Sequence, residues 1–324
     1  MKRESMAIVT IVMSIVAVSC AGAKRPALQP SSRDPGETLW ESPANLAARD
    51  LYHGPWGREL APDPAATYKF VERKHTGVNL GLTVVDPQGR EWSVKQPFPG
   101  GLDDESPVEV TLSRLLSAIG YHQPPVYYLP AFKLEDDWGT HLEAGGRFRL
   151  KHEALKDAGP WKWEENPFIG SRPYEGLIVL MMMFNNTDLK NSNNTLYERK
   201  RGGEVERLYV VRDIGAALGD TQPIAPRKNH LPSFERHPFI LGLNDGYVEV
   251  ANKSPYAKLV KNRTRPADVV WAANLLGQLS DKQMAEAFRA GGYEASAANR
   301  FIRKLREKIE QGRSIGAQAG DSGR

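Results

Sequence analysis

The chain has 324 residues, 43 Lys and Arg against 39 Asp and Glu, a formal net charge of +4 and one cysteine. So small a basic excess excludes the basic stripe that a nucleic-acid partner requires. A single Cys excludes an intramolecular disulfide, so stability has to come from a packed core.

Lys2 and Arg3 open the chain, and an apolar run from Met6 to Val18, broken only by Thr10 and Ser14, leads into Ala17-Val18-Ser19-Cys20-Ala21-Gly22-Ala23. A basic start, a short apolar core and small residues at the cut read as a signal peptide over residues 1–19. The run is too short for a comfortable membrane span of about 20 apolar residues. Ala17-Val18-Ser19-Cys20 resembles a lipobox, with Ala17 where Leu is usual, so Cys20 is the expected lipidation site. Cleavage after Ala21 or Ala23, with Cys20 discarded, is the alternative. The expectation is an exported bacterial lipoprotein of the cell envelope, held at the membrane by its lipid anchor. Residues 20–45, rich in Pro, Ser, Arg and Gly, read as a flexible tether.

In the body, Leu82-Thr83-Val84-Val85, the turn Asp86-Pro87-Gln88-Gly89 and the alternating Glu91-Trp92-Ser93-Val94-Lys95 predict a β-hairpin. Val108, Leu112, Leu115, Leu116 and Ile119 form a helical stripe over Glu105–Ile119 that stops at Gly120. Pro124 to Leu129 reads as a linker running into a strand, and Phe148-Arg149-Leu150 as another strand. Tyr174–Phe184, with Met181, Met182 and Met183, predicts a buried helix whose methionines fill core. It breaks at Asn185-Asn186-Thr187-Asp188, a polar loop follows, and Leu208-Tyr209-Val210-Val211 is a short buried strand. Helical patterns cover Ala267–Leu279, Asp281–Phe288 and Ala297–Ile309. Strands come early and helices late, which predicts an α+β chain with a small β-rich lobe (46–130), a larger, mostly helical lobe (131–310) and a disordered tail (311–324).

Four features stand in a suggestive order: Lys95 ending a strand, Glu109 on the next helix, Asp188-Leu189-Lys190-Asn191-Ser192-Asn193 after a buried helix, and Asp213-Ile214-Gly215 after a short strand. The set resembles the protein-kinase-like superfamily over about residues 68–220, nearer its atypical branches (HipA-type, secretory-pathway and lipid kinases) than ordinary protein kinases. The resemblance implies a two-lobed kinase-like fold. It also implies ATP or another nucleotide as donor, Mg or Mn as cofactor, and an acceptor hydroxyl on a protein or small molecule. Lys95, aimed by Glu109 or by Glu105, would hold phosphates, and Gly77 and Gly81 would belong to the loop covering them. Asn193 and Asp213 would hold the metal, Asp188 would accept the proton, Lys190 would lie near the γ-phosphate, and Gly215 would let the chain turn sharply. The pattern departs from the family in three places. Asn186-Thr187 replaces His-Arg, the stretch His75 to Gly81 lacks a third glycine, and Glu109 lies close to its lysine in sequence.

Each piece also has a plainer structural role, as an edge charge, a cap or a turn. The histidines show no HExxH or paired ligand spacing, and no G-x-S-x-G elbow is present, so neither a zinc site nor a serine hydrolase is expected. Trp161, Trp163 and Trp138 suit either sugar stacking or packing. Arg300, Arg303, Lys304, Arg306 and Lys308 predict a basic face on the last helix. Export and nucleotide chemistry pull apart, because nucleoside triphosphates are scarce outside the cytoplasmic membrane. Three readings follow: a phosphotransferase, a pseudokinase on the same fold, and an envelope lipoprotein that binds glycan or protein.

Overall fold

A computed structural model describes residues 34–74, 81–97 and 104–321. After a two-residue strand β1 (Glu37–Thr38), period-2 alternation builds the smaller lobe. Strands β2 (Thr67–Lys74), β3 (Gly81–Val85), β4 (Glu91–Lys95), β5 (Val126–Asp136) and β6 (Gly139–Leu150) close a barrel in the order β2-β3-β4-β6-β5. Every neighbour is antiparallel except β2 and β5, which run parallel from Thr67↔Lys133 to Lys69↔Glu135. Trp92, Val94, Phe148 and Leu150 point inward with Tyr68 and Phe132, so Ser93, Lys95, Arg147 and Arg149 occupy the outer face. The predicted hairpin is β3–β4. Its turn is held by Asp86, whose carboxylate accepts from the Gln88 and Arg90 amides and from Trp92 Nε1. The expected lobe boundary at 130 falls inside β5, because the strand that closes the barrel lies beyond it; the β-rich lobe extends to Leu150.

Helix α1 (Glu105–Ala118) is capped by Asp104, which accepts from the Ser106 amide, and ends where Gly120 turns at φ +103°. Its Val108, Leu112, Leu115 and Leu116 join the core of the larger lobe, not the barrel interior. That lobe contains β7 (Lys156–Asp157), α2 (Arg172–Met183), β8 (Asn194–Arg201), β9 (Glu204–Val211), α3 (Leu231–Arg236), β10 (Ile240–Asn244), β11 (Tyr247–Val250), α4 (Pro266–Leu276), α5 (Asp281–Ala290) and α6 (Ala295–Asp321). The architecture is therefore α+β and two-lobed, as expected. Met181, Met182 and Met183 are buried core. Among the described residues no helix is long and apolar enough to cross a membrane.

Four expectations need correcting. The polar loop before Leu208 is the β8–β9 hairpin, in which Asn194 pairs with Val211. The tether does not reach 45: β1 pairs with β9 at Arg207 and Leu208, Leu39 is buried, and Trp40 Nε1 donates to the Ile119 carbonyl. The tail is helical to Asp321, and Ile315 is buried. Finally, the last helix has no single basic face. Lys304 and Lys308 are buried, Arg300 and Arg303 pair with Glu235, and Arg306 pairs with Asp281. Cys20 and Gly77 lie outside the described residues.

Gly120 tests how the N-terminal segment is held against the end of α1. A Cβ there would overlap the Glu41 carbonyl oxygen, whereas one at Gly89, also at positive φ, would meet nothing. Both Ala variants incur about 1–2 kcal/mol of left-handed strain. Urea unfolding should show Gly120→Ala losing about 2 kcal/mol beyond Gly89→Ala. Equal losses would mean that the Glu41 contact imposes no constraint.

Candidate functional site

Lys95 projects from the outer face of β4, with Gly81 opposite it on β3 and Arg147 opposite it on β6. Its Nζ lies 2.7 Å from Glu105 Oε2 and 3.5 Å from Glu109 Oε2. Glu105 is thus the nearer partner and Glu109 the second, one turn further along α1. Glu105 is also held from the larger lobe by Lys228, at 2.5 Å. Glu109 is shared with Arg147, whose Nε is 2.9 Å away. Burial works against a charged Lys95, but Glu109 and Glu105 outweigh it and raise its pKa above the ordinary lysine value. Burial likewise works against Glu105, yet Lys95 and Lys228 pull its pKa down. Both groups are held charged by each other.

The acidic loops converge below because β8 and β9 are paired. The Arg212 amide donates to the Asn193 carbonyl at 3.0 Å, which puts the end of one loop beside the start of the next. Asn193 Nδ2 donates to the Asp188 carbonyl at 2.8 Å, tying the two ends of the Asp188–Asn193 loop together. Asn186, fully buried, accepts from the Asp188 amide. Asn185 adopts φ +58°, a left-handed conformation that Asn tolerates, and its amide donates to the Gly219 carbonyl. Lys308, buried within α6, donates to the Met183 carbonyl and to Asn185 Oδ1. Burial holds the Lys308 pKa well below the usual lysine range.

Asp188 itself is partly exposed and is met by Lys190 Nζ at 3.0 Å. The hydrogen bond that Lys190 donates to Asp188 raises the Lys190 pKa. Tyr256, in the 3-10 turn Pro255–Leu259, also hydrogen-bonds Asp188; burial first, and then that carboxylate, raise the phenol. Asp213 sits at φ +53°, so the sharp turn is made at the aspartate itself. Gly215 serves a different purpose from the one expected. A Cβ there would stand 2.6 Å from Glu105 Cβ, so this glycine lets the loop close onto the first turn of α1.

Arginines 147 and 149 were not singled out from the sequence. They alternate with Phe148 and Leu150 on β6, and that pattern alone put both on the face opposite the barrel core. Arg147 Nη2 and Arg149 Nη1 lie 3.6 and 3.7 Å from Asp213 Oδ1. Burial raises the Asp213 pKa, but Arg149, Arg147, Lys95 and Arg212 together drive it down to about 2. Trp161 and Trp163, in contrast, are buried packing residues: Trp161 Nε1 donates to the Val210 carbonyl. Trp138 is 90% exposed at the β5–β6 turn.

The residues fit a hard divalent cation in chemistry. Asp213 stays ionised, and Asn193, with its amide nitrogen committed to Asp188, has its amide oxygen left to offer. Two protein oxygens suffice for Mg²⁺, which keeps waters and takes the remaining ligands from phosphate.

No known protein family matches the sequence, and no curated protein matches it. Among solved structures the chain is similar to the Helicobacter pylori proinflammatory kinase CtkA, with a TM-score of 0.43 and 10% identity, over 80% of this chain and 98% of that one.

A depressed aspartate stabilises the fold above its unfolded pKa, and the contribution is lost as pH falls through the folded one. For Asp213 that window runs from 3.8 down to about 2. In thermal melts Asp213→Asn should be less stable than the parent at neutral pH, and the gap should close across that window. A gap independent of pH would show that the arginine–aspartate pairing does not stabilise the fold.

Proposed function

We propose that the chain is a kinase-like phosphotransferase that moves a phosphoryl group to an acceptor hydroxyl. The observation that supports this reading is a single charged cluster in which Lys95 pairs with Glu105 and Arg147 reaches Asp213, while the Arg212 amide, next to Asp213, bonds the end of the loop that Asn193 closes onto Asp188. A transferring phosphoryl group carries dispersed negative charge, so positioning and electrostatic compensation are what a protein has to supply. Lys95 supplies a fixed ammonium, its direction set by two carboxylates. Asp213 and Asn193 would hold Mg²⁺ or Mn²⁺, which when bound neutralises charge on the donor phosphates. Asp188 faces solvent at the mouth of its loop and takes the acceptor hydroxyl's proton; Lys190 and Tyr256 orient its carboxylate. Gly81, opposite Lys95, keeps side-chain bulk away from the phosphates.

We further propose export and lipidation at Cys20, which would tether the chain to the envelope membrane. A second reading, a pseudokinase that binds without transfer, is favoured by one observation: Asp213 already has two guanidinium neighbours competing with a metal.

Thermal melts with ATP and Mg²⁺ or Mn²⁺ separate these readings. A ligand specific to the folded state at about 100 times its dissociation constant adds roughly 2.7 kcal/mol of stability. The phosphotransferase reading expects a metal-dependent shift that Asp213→Asn abolishes. It also expects Asp188→Asn to keep the shift while losing transfer of labelled phosphate to water or to an added hydroxyl acceptor. A metal-dependent shift with no transfer by the parent chain would favour the pseudokinase. No shift with either metal would remove the nucleotide site altogether.

A further inference from the structure

The outer face of β4 and β6 carries three cations, Lys95, Arg147 and Arg149. At the paired positions Ser93↔Arg149 and Lys95↔Arg147, where β4 and β6 turn away from the barrel core, no side chain is apolar. Flat ligands such as nucleobases are ordinarily held in apolar slots with a few placed polar groups. This surface instead presents an ammonium and two guanidiniums side by side. Their carboxylate partners are Glu105, Glu109 and Asp213, and Lys228 adds a further cation on Glu105. Arg147 is committed: it also donates to the Ser93 carbonyl and grips Glu109. Arg149 is not. Its Nη1, like Arg147 Nε, is buried without a hydrogen-bond partner among the described residues, but Arg149 has no counterpart to the Arg147–Ser93 bond, and Asp213, at 3.7 Å, is too far for a hydrogen bond. A cation bound by Asp213 would take over that carboxylate and release Arg149 to another anion.

Resting on the phosphotransferase reading, we propose that the cleft grips its donor by the phosphate chain and not by a base. Arg149 is then a phosphate-binding residue parked on Asp213, and an inorganic oligophosphate serves as donor as well as a nucleoside triphosphate. Guanidinium forks match phosphate oxygens bidentately, and such charge-assisted bonds are independent of any base. In the transfer, the acceptor oxygen forms a bond to the terminal phosphorus as the bond from that phosphorus to its bridging oxygen breaks. The electron pair leaves with the bridging oxygen on a chain one phosphate shorter, and the acceptor proton passes to Asp188.

The test uses the full chain with Mg²⁺ and, separately, tripolyphosphate, ATP and GTP, read by thermal shift and by competition. The three dissociation constants should agree within about threefold, and tripolyphosphate should displace ATP. Arg149→Gln should weaken all three in parallel by at least about tenfold, with Arg149→Lys recovering part of the loss. Each variant is compared with its own ligand-free melt, so a change in fold stability does not enter. An ATP shift that tripolyphosphate neither reproduces nor displaces would overturn the proposal while leaving the phosphotransferase reading in place. So would ATP binding unchanged in Arg149→Gln. Absence of a metal-dependent shift with all three ligands would bring down both.

Discussion

Lys95 and the carboxylates of α1 form the bond on which the two lobes depend. Lys95 belongs to the barrel, whereas the apolar stripe of α1 is buried in the core of the larger lobe. Their ion pair therefore joins two separately packed bodies. From the other side Lys228 reaches Glu105, and Asn229 donates to the Asp104 carbonyl, so the start of α1 is held by the segment that follows Asp213. Gly215, pressed against Glu105, completes the joint. A buried pair of this kind adds little net stability over apolar packing, but breaking one partner is expensive, because it leaves an uncompensated charge. Its value lies in fixing where the charges stand.

Side-chain bonds also fix the loop that carries Asp188. Asp188 is partly exposed, and the chain around it is bound by side-chain amides: Asn185 to Gly219, Asn186 to Asp188 and Asn193 to Asp188. Lys308 ties this loop to α6 without a carboxylate partner, its amine satisfied by a carbonyl and an amide oxygen, with the Phe234 ring 4.2 Å away. Burial lowers the Lys308 pKa well below the usual lysine value. The result is a partly exposed carboxylate on a loop held by side-chain hydrogen bonds.

Charge is balanced within the cluster around Lys95, Arg147, Arg149 and Asp213. In this structure each roof cation faces a carboxylate, so the site is close to self-neutralised. A metal on Asp213 would upset that balance in favour of anions. Under the proposed function, metal and phosphate binding would be coupled through Arg147 and Arg149, which share Asp213.

Period-2 and period-3.6 patterns determined by themselves the β3–β4 hairpin, α1, the buried α2 and the order of strands before helices, because local alternation reports which face is buried. They also placed Lys95 at the end of β4, and Asp188 and Asp213 in the loops that follow α2 and β9. They left open what each face meets. Barrel closure rests on β2 pairing with β5 some 65 residues away, a non-local contact with no local signature, so the lobe boundary was drawn too early. Only packing decided that Glu105 outranks Glu109, that Lys308 is buried while Arg300 is exposed on the same helix, and that α6 continues past Gln311. The Arg147 and Arg149 alternation was legible in the strand, but its meaning was not. A guanidinium on a strand face takes its role from the carboxylate it meets, and Asp213 reaches Arg149 only through tertiary folding.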